Sequence, residues 1–248
     1  MFTSIKGKKV LITGASGGIG SSMALLFAKF GASVGIHYHK GEDEAKKLVQ
    51  MIKKEGNLCH EFKADLLSES GEELVKAFID HFEGIDVLIN NAGAVFGFKD
   101  FSELDLASWE KTFQLNARAP FFIARKAFSQ MKENGGGKII NISSVAAKYG
   151  GSNRSMHYGA AKAALEAETI GLARAGASHN ILANAIRAGF IDTPFHQKLT
   201  TKNIQQRINI IPLKRAGQPE DIANMALFLA SQGGDFITGQ ILAVSGGD

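Results

Sequence analysis

Short apolar runs alternate with longer amphipathic stretches along nearly the whole chain, and this alternation restricts the fold more than any other feature. Runs of strand length cover residues 9–13, 33–38, 58–62, 86–90, 138–142, 181–186 and 240–244. Helical spacing covers 21–30, 42–55, 70–82, 106–131, 155–173 and 219–231, and 195–210 reads as short helices. Gly31 and Gly56 stop the first two helices, where a residue without Cβ turns the chain at no steric cost. Pro219 suits a first helical turn, whereas Pro120 is an irregularity inside 106–131 because it has no N–H to donate. Repeated strand–helix–strand units close through right-handed crossovers. They predict an α/β fold, a single doubly wound parallel sheet of about seven strands with helices on both faces. No linker or repeat divides residues 1–248, so one domain is expected.

The composition agrees with a packed domain and removes several functions. Hydrophobic residues make up 45% of the 248, enough for a sizeable core. The net charge of +4 is spread without a run of five or six like charges, which argues against nucleic acid and suits phosphorylated ligands. No aromatic platform or basic stripe supports strand binding. The one cysteine, Cys59, cannot pair internally, as in a reducing compartment, and reads as a small buried hydrophobe. No apolar stretch approaches the ~18 residues of a membrane span, and the N-terminus lacks a signal-peptide pattern. A cytoplasmic protein without membrane contact is expected. The histidines are dispersed, so no metal site is expected, His37 and His39 included.

The first strand runs into Thr13-Gly14-Ala15-Ser16-Gly17-Gly18-Ile19-Gly20, with a helix behind it. A pyrophosphate at a helix N-terminus needs bare backbone N–H groups and no Cβ in the way. Gly14 can turn the chain tightly, Gly18 can let a ligand approach, and Gly20 can seat the helix against the strand. In an open α/β sheet such a loop lies at the carboxyl ends of the strands, where ligands bind. The plain alternative is a glycine-rich turn with no ligand.

The order of motifs decides between these. After T-G-x-x-x-G-x-G come Asp65, Asn90-Asn91-Ala92-Gly93, Asn116, Ile142-Ser143-Ser144, Tyr158-Gly159-Ala160-Ala161-Lys162, Ile237-Thr238-Gly239-Gln240 and Ser245-Gly246-Gly247. In these motifs the chain resembles the short-chain dehydrogenase/reductase family, over essentially its whole length, and in particular members that reduce 3-oxoacyl groups on acyl carrier protein. The resemblance implies a Rossmann fold and an NAD(P)(H)-dependent oxidoreductase moving a hydride between nicotinamide and a carbonyl/alcohol pair. It implies cofactor contacts from Gly14, Ser16, Gly17, Gly18, Ile19 and Gly20, from Tyr38, His39 and Lys40, and from Asp65 and Leu66 at the adenine. Asn91, Ala92, Gly93, Tyr158, Lys162, Gly189, Ile191 and Thr193 complete that set. Family members are commonly tetramers, so a homo-oligomer is expected.

Tyr158 and Lys162 are four apart and share a helix face. Alone they would read as an ordinary exposed pair. Carbonyl reduction leaves an oxyanion that needs a proton, and a phenol of pKa about 10 is poorly matched to neutral pH. At roughly 4 Å and an effective dielectric near 20, an ammonium would stabilise the phenolate by about 4 kcal/mol, on the order of three pKa units before desolvation. In the family the lysine also holds the nicotinamide ribose. The resemblance makes Ser144, rather than its neighbour Ser143, the hydroxyl that orients the substrate oxygen, and Asn116 the holder of a water relay to Lys162. His157 adjoins Tyr158 but points to another face.

Tyr38 occupies the position where a carboxylate would select NAD, with His39 and Lys40 beside it, which favours NADP over NAD although both fit. The cation often found inside the glycine loop of NADP users is replaced by Gly17, and Glu42 and Asp43 lie close by. The chain departs from the family pattern at Arg187-Ala188-Gly189-Phe190, which lacks the usual proline and predicts a looser loop. It departs again at Gly176, expected to shorten the catalytic helix. Ala94, Val95, Phe96, Ala146, Tyr149, Phe190 and Phe195 suggest an apolar or mixed pocket, with residues 190–215 as a substrate lid. A small-molecule carbonyl or alcohol is the expected substrate, and acyl carrier protein a candidate partner. The competing class is a non-catalytic NADP-binding scaffold or sensor, for which Tyr158 and Lys162 together would have no use. The cofactor expectation is checked by steady-state kinetics: kcat/KM with NADPH should exceed that with NADH, and the reverse order would refute it.

Overall fold

The computed structural model describes residues 4–68, 71–193 and 204–248. The strands are β1 (Lys9–Ile12), β2 (Ser33–Tyr38), β3 (Cys59–Lys63), β4 (Val87–Asn90), β5 (Gly137–Ser144), β6 (Ile181–Ala188) and β7 (Ile241–Val244). The helices are α1 (Gly18–Lys29), α2 (Glu42–Lys54), α3 (Glu72–Phe82), α4 (Leu106–Phe113), α5 (Ala119–Glu133), α6 (Val145–Tyr149), α7 (Met156–Gly176), α8 (Ile204–Ile210) and α9 (Pro219–Ala230). The sheet has seven strands in the order β3-β2-β1-β4-β5-β6-β7. Every pairing is parallel. The winding reverses between β1 and β4, which opens a crevice at their carboxyl ends.

Strand apolarity on both faces follows from this burial. Val10 and Ile12 of β1 point into a core filled by Met23 and Phe27 of α1, Leu48 and Ile52 of α2, and Ile222 and Leu227 of α9. Leu11, between them, points to the opposite core with Leu74 and Phe78 of α3 and Ile123 and Met131 of α5. Side chains alternate across a strand, so consecutive apolar residues supply both layers.

Three elements differ from the sequence expectation. The 106–131 stretch is not one helix: α4 and α5 are joined by a π-turn over Gln114–Arg118, in which Ala119 N–H donates to the Gln114 carbonyl. Pro120, at the start of α5, has no N–H for a partner one turn back, and the wider turn accommodates that loss. α6 fills what reads as a loop between Ser144 and Tyr158; the Ser144 hydroxyl caps it by accepting from Ala146 N–H, and it ends at Gly150 with φ +77°. α7 continues to Gly176 instead of stopping short of it. A Cβ at Gly176 would fall 2.4 Å from the Ile181 carbonyl oxygen, so this glycine admits the close return into β6.

The loop after β6 is tied, not loosened, where the proline is missing. Gly189 N–H donates to the Val244 carbonyl at 3.0 Å, and Gly217 N–H and Asp192 N–H bond to the Phe190 and Gly217 carbonyls at 2.9 and 2.8 Å. Of the 190–215 segment expected to act as a lid, residues 194–203, Phe195 among them, lie outside the described residues. Among the described residues no helix is long and apolar enough to cross a membrane.

Phe78 packs at ring-centroid distances of 5.7 Å from Phe62 and 4.9 Å from Phe82. Phe78→Ala should cost about 3–5 kcal/mol in a urea denaturation series. A loss under about 1 kcal/mol would mean that α3 does not anchor this side of the sheet.

Candidate active site

At the β1/β4 reversal two backbones approach closely. A Cβ at Gly14 (φ +61°) would fall 2.9 Å from Ala92 Cα, and one at Gly20 would fall 2.4 Å from the Gly14 carbonyl oxygen. Thr13 Oγ1 accepts from Asn91 N–H and Ala92 N–H at 2.9 and 3.0 Å. Asn91 Nδ2 donates back to the Thr13 and Gly14 carbonyls at 2.9 and 3.0 Å. These bonds fix the glycine loop against the Asn90–Gly93 turn. Gly17 leads into α1 with extended backbone, and the helix has no capping side chain and no acidic residue in its first turn. Its first amides therefore suit an anion, and the missing Cβ atoms leave a cradle for a pyrophosphate. Ser16 in this loop and Ile19 in the first turn of α1 are half-buried. Thr193, only 7% exposed, faces Gly18 from the far side: a Cβ at Gly18 would lie 3.5 Å from its methyl group. Gly189 and Ile191 are buried beside it.

The expected adenosine edge differs from the sequence reading at one position. Tyr38 is 5% exposed and packs in the core. The even-numbered residues Val34, Ile36 and Tyr38 of β2 share the face that meets α1 and α2. Its phenol is no surface contact; the position contributes the absence of a carboxylate. His39 Nε2 lies 3.7 Å from Asp65 Oδ2, so these two expected contacts sit side by side. Asp65 Oδ1 accepts from Leu67 N–H at 3.0 Å. Lys40 is exposed and Leu66 buried.

The four catalytic candidates converge near the end of β5. The Ser144 side chain hydrogen-bonds Tyr158. Ser143 is buried and turned away, donating to Glu166 Oε1 at 2.7 Å. Lys162 Nζ donates to the Ile142 carbonyl at 2.8 Å and lies 5.8 Å from the Tyr158 ring centroid. Asn116, in the π-turn, donates through Nδ2 to the Ala94 and Thr112 carbonyls at 2.7 and 2.8 Å. Its Oδ1 is buried and without a partner. A Cβ on Gly93 would fall 2.8 Å from that oxygen and 3.3 Å from Lys162 Nζ, so this glycine keeps the space between them open.

The electrostatics differ from the simple picture of an ammonium lowering a phenol. Burial pushes the Tyr158 phenol up to about 12, with the Ser144 hydrogen bond pulling the other way. Burial also pushes Lys162 down to about 8, against the upward pull of Glu166. Desolvation disfavours both charged forms and is the largest cause of each shift. At neutral pH the phenol therefore holds its proton.

Several side chains that sequence reasoning passed over shape the site. Glu166, one turn after Lys162, accepts from Arg187 Nε and Nη2 at 3.0 and 2.6 Å as well as from Ser143. The Lys-x-x-x-Glu spacing on one helix was the available signal; Arg187 could be joined to it only by the β5–β6 register, which pairs it with Ser143. His157 holds the loop after β4, with Nε2 2.7 Å from the Phe96 carbonyl. Among the described residues no group of three or more His, Cys, Asp or Glu is placed to hold a metal ion.

Comparison with known proteins agrees with this geometry. Residues 14–248 match the family described as enoyl-(acyl carrier protein) reductase. The 3-oxoacyl-[acyl-carrier-protein] reductase FabG of Aquifex aeolicus (strain VF5) is 35% identical over 246 residues, 98% of each chain. The chain belongs to the short-chain dehydrogenase/reductase family. Among solved members of that family, a 7α-hydroxysteroid dehydrogenase complexed with NADH and 7-oxo glycochenodeoxycholic acid superposes with a TM-score of 0.93 at 34% identity, covering 99% of this chain and 95% of the other. A short-chain dehydrogenase from Burkholderia cenocepacia J2315 in complex with NADP gives 0.90 at 28% identity, covering 98% of each. The seven-stranded Rossmann sheet read from the sequence is the fold of these relatives.

For this short-chain dehydrogenase/reductase, the Lys162 charge is lost as pH rises through about 8. kcat/KM for carbonyl reduction should fall over that range. Glu166→Gln removes the anion that raises Lys162, so the falling limb should move to lower pH. A pH–rate profile with an unmoved limb would show that Glu166 does not act on Lys162.

Proposed function

We propose that Asn116, Ser144, Tyr158 and Lys162 form the catalytic set of this enzyme, an NAD(P)(H)-dependent oxidoreductase acting on a carbonyl/alcohol pair. The observation that carries the reading is the Ser144–Tyr158 hydrogen bond with Lys162 beside the ring, set next to the open glycine loop. NADP(H) is the preferred cofactor and NAD(H) is compatible, since relatives are complexed with NADP and with NADH and the end of β2 carries His39 and Lys40 without a carboxylate. The Gly14–Gly20 loop would hold the pyrophosphate, Asp65 and Leu66 the adenine side, and Asn91, Ala92, Gly93, Gly189, Ile191 and Thr193 the nicotinamide side. When bound, the nicotinamide supplies or accepts the hydride.

The side chains handle the oxygen and its proton. Ser144 donates a hydrogen bond to the carbonyl oxygen and holds it beside Tyr158. Tyr158, protonated at neutral pH, gives its proton to that oxygen as negative charge builds there. Lys162 stabilises the phenolate left behind. The unpartnered Asn116 Oδ1 would hold a water that returns a proton toward Lys162.

A 3-oxoacyl thioester, including one carried on acyl carrier protein, is the substrate class favoured by the reductase of Aquifex aeolicus. The 190–215 segment would cover it. A homo-oligomer, a tetramer in particular, is supported by exposed apolar side chains on α4, α5 and α7: Leu106, Trp109, Phe121, Met156 and Ile170. The cytoplasm is the compartment that suits this chemistry.

The test is NAD(P)H absorbance at 340 nm over thioesters, sugars and cyclic ketones. Tyr158→Phe should lower kcat by about 100- to 10,000-fold while NADPH still binds. A variant as active as the parent would refute the role of Tyr158. A parent silent on every carbonyl yet tight for NADPH would put the scaffold reading in its place.

A further inference from the structure

His37 lies in β2, 2% exposed, and its two ring nitrogens face different segments. Nδ1 accepts from the Gly14 N–H at 3.0 Å. Nε2 lies 3.2 Å from the carbonyl oxygen of Ala64, just past β3. A carbonyl can only accept and an amide can only donate, so the two partners fix one state of the ring: neutral, with its proton on Nε2. The backbone reinforces the junction. Ala15 N–H donates to the His37 carbonyl at 2.8 Å, and Ala64 N–H to the Tyr38 carbonyl at 3.1 Å. The loop that starts at Gly14 and the segment that leads to Asp65 thus meet on one imidazole. Burial, with His39 adding to it and the Ala64 bond opposing, holds the ring's pKa down to about 4, so the neutral form is the populated one.

We propose that His37 is a positioning residue for dinucleotide binding: as the neutral Nε2–H tautomer it sets the Gly14 turn at a fixed place relative to Asp65, so that the phosphate and adenine contacts are presented together. An apolar side chain of similar volume would fill the space but leave the Gly14 amide without its acceptor and the Ala64 carbonyl without its donor. The loop would then sample positions that do not match a ligand spanning both contacts, and affinity would fall by the fraction of time spent in them. The inference rests on the placement of the dinucleotide along Gly14 and Asp65.

The experiment measures NADPH affinity by fluorescence titration, kcat at saturating NADPH and the melting temperature for His37→Leu and His37→Asn, with ¹⁵N NMR of the histidines in the unsubstituted protein. His37→Leu should raise Kd for NADPH about tenfold or more, as for loss of a buried hydrogen-bond partner. Its kcat at saturation should stay within about twofold, because His37 bonds the Gly14 amide and the Ala64 carbonyl and none of the four proposed catalytic side chains. His37→Asn, which keeps a donor and an acceptor, should recover part of the affinity. The NMR signals of the unsubstituted ring should show a neutral, Nε2-protonated imidazole at neutral pH. An Nδ1–H or charged ring, or His37→Leu with unchanged Kd, overturns the proposal. A loss of kcat and melting temperature in step, without a selective rise in Kd, overturns it as well. Gly17→Glu separates the underlying reading: Gly17 has extended backbone and open space around it, so a carboxylate there folds readily and repels phosphate. If Gly17→Glu leaves NADPH affinity unchanged, the cofactor is not on this loop. If it abolishes binding while His37→Leu does not, only the clamp is refuted.

Discussion

The near-contact of two backbones, at Gly14 after β1 and at Ala92 after β4, is the constraint on which the rest of the structure depends. The sheet reverses its winding between these strands, so the following segments leave in opposite directions and open a crevice. Thr13 and Asn91 close the gap beneath that crevice with four hydrogen bonds. A side chain at Gly14 or Gly20 would push the segments apart and carry the N-terminus of α1 away from the Asn90–Gly93 turn. The same turn ends in Gly93, whose missing Cβ leaves room between Asn116 and Lys162. One close approach therefore shapes both the proposed cofactor side and the proposed proton-handling side of the site.

Desolvation, more than charge pairing, sets the character of Tyr158 and Lys162 on α7. It raises Tyr158 and lowers Lys162, so both lean toward neutrality. A phenol that holds its proton suits carbonyl reduction, in which the proton is given away. The counterweight is Glu166, one turn along α7, itself held by Arg187 from the neighbouring strand. A carboxylate in that position without a partner would be costly to bury; Arg187 Nε and Nη2 and the Ser143 hydroxyl supply it with donors.

The π-turn before α5 shows how a local irregularity aims a polar side chain. Pro120 cannot supply an N–H to the turn before it, and the backbone widens there. Asn116 falls inside the widened turn, spends both amide hydrogens on the Ala94 and Thr112 carbonyls, and is left with one unpartnered oxygen next to Gly93. A regular helix through the same residues would carry its side chains at a different angle from that point onward.

Periodicity and motif order determined much of this protein. Apolar runs spaced by amphipathic ones yield the seven strands and their covering helices, because a strand buried on both faces must be apolar throughout. The glycine loop and the Tyr158–Lys162 pair could be proposed from sequence because the chemistry proposed for them depends on short spacings along one loop or one helix. What the sequence could not show is whatever joins distant segments through a side chain of ambiguous role. Tyr38 reads as a cofactor contact and packs in the core. Ser143 and Ser144 are neighbours in sequence and point to different partners, Glu166 and Tyr158, because successive strand residues face opposite sides. His37 looked like an unaccompanied histidine until β1 and β3 placed an amide and a carbonyl on its two nitrogens. Local sequence sets which groups are present and how they repeat. Only the packed tertiary structure sets which of them lose water and to whom they bond, and those two quantities decide protonation and orientation.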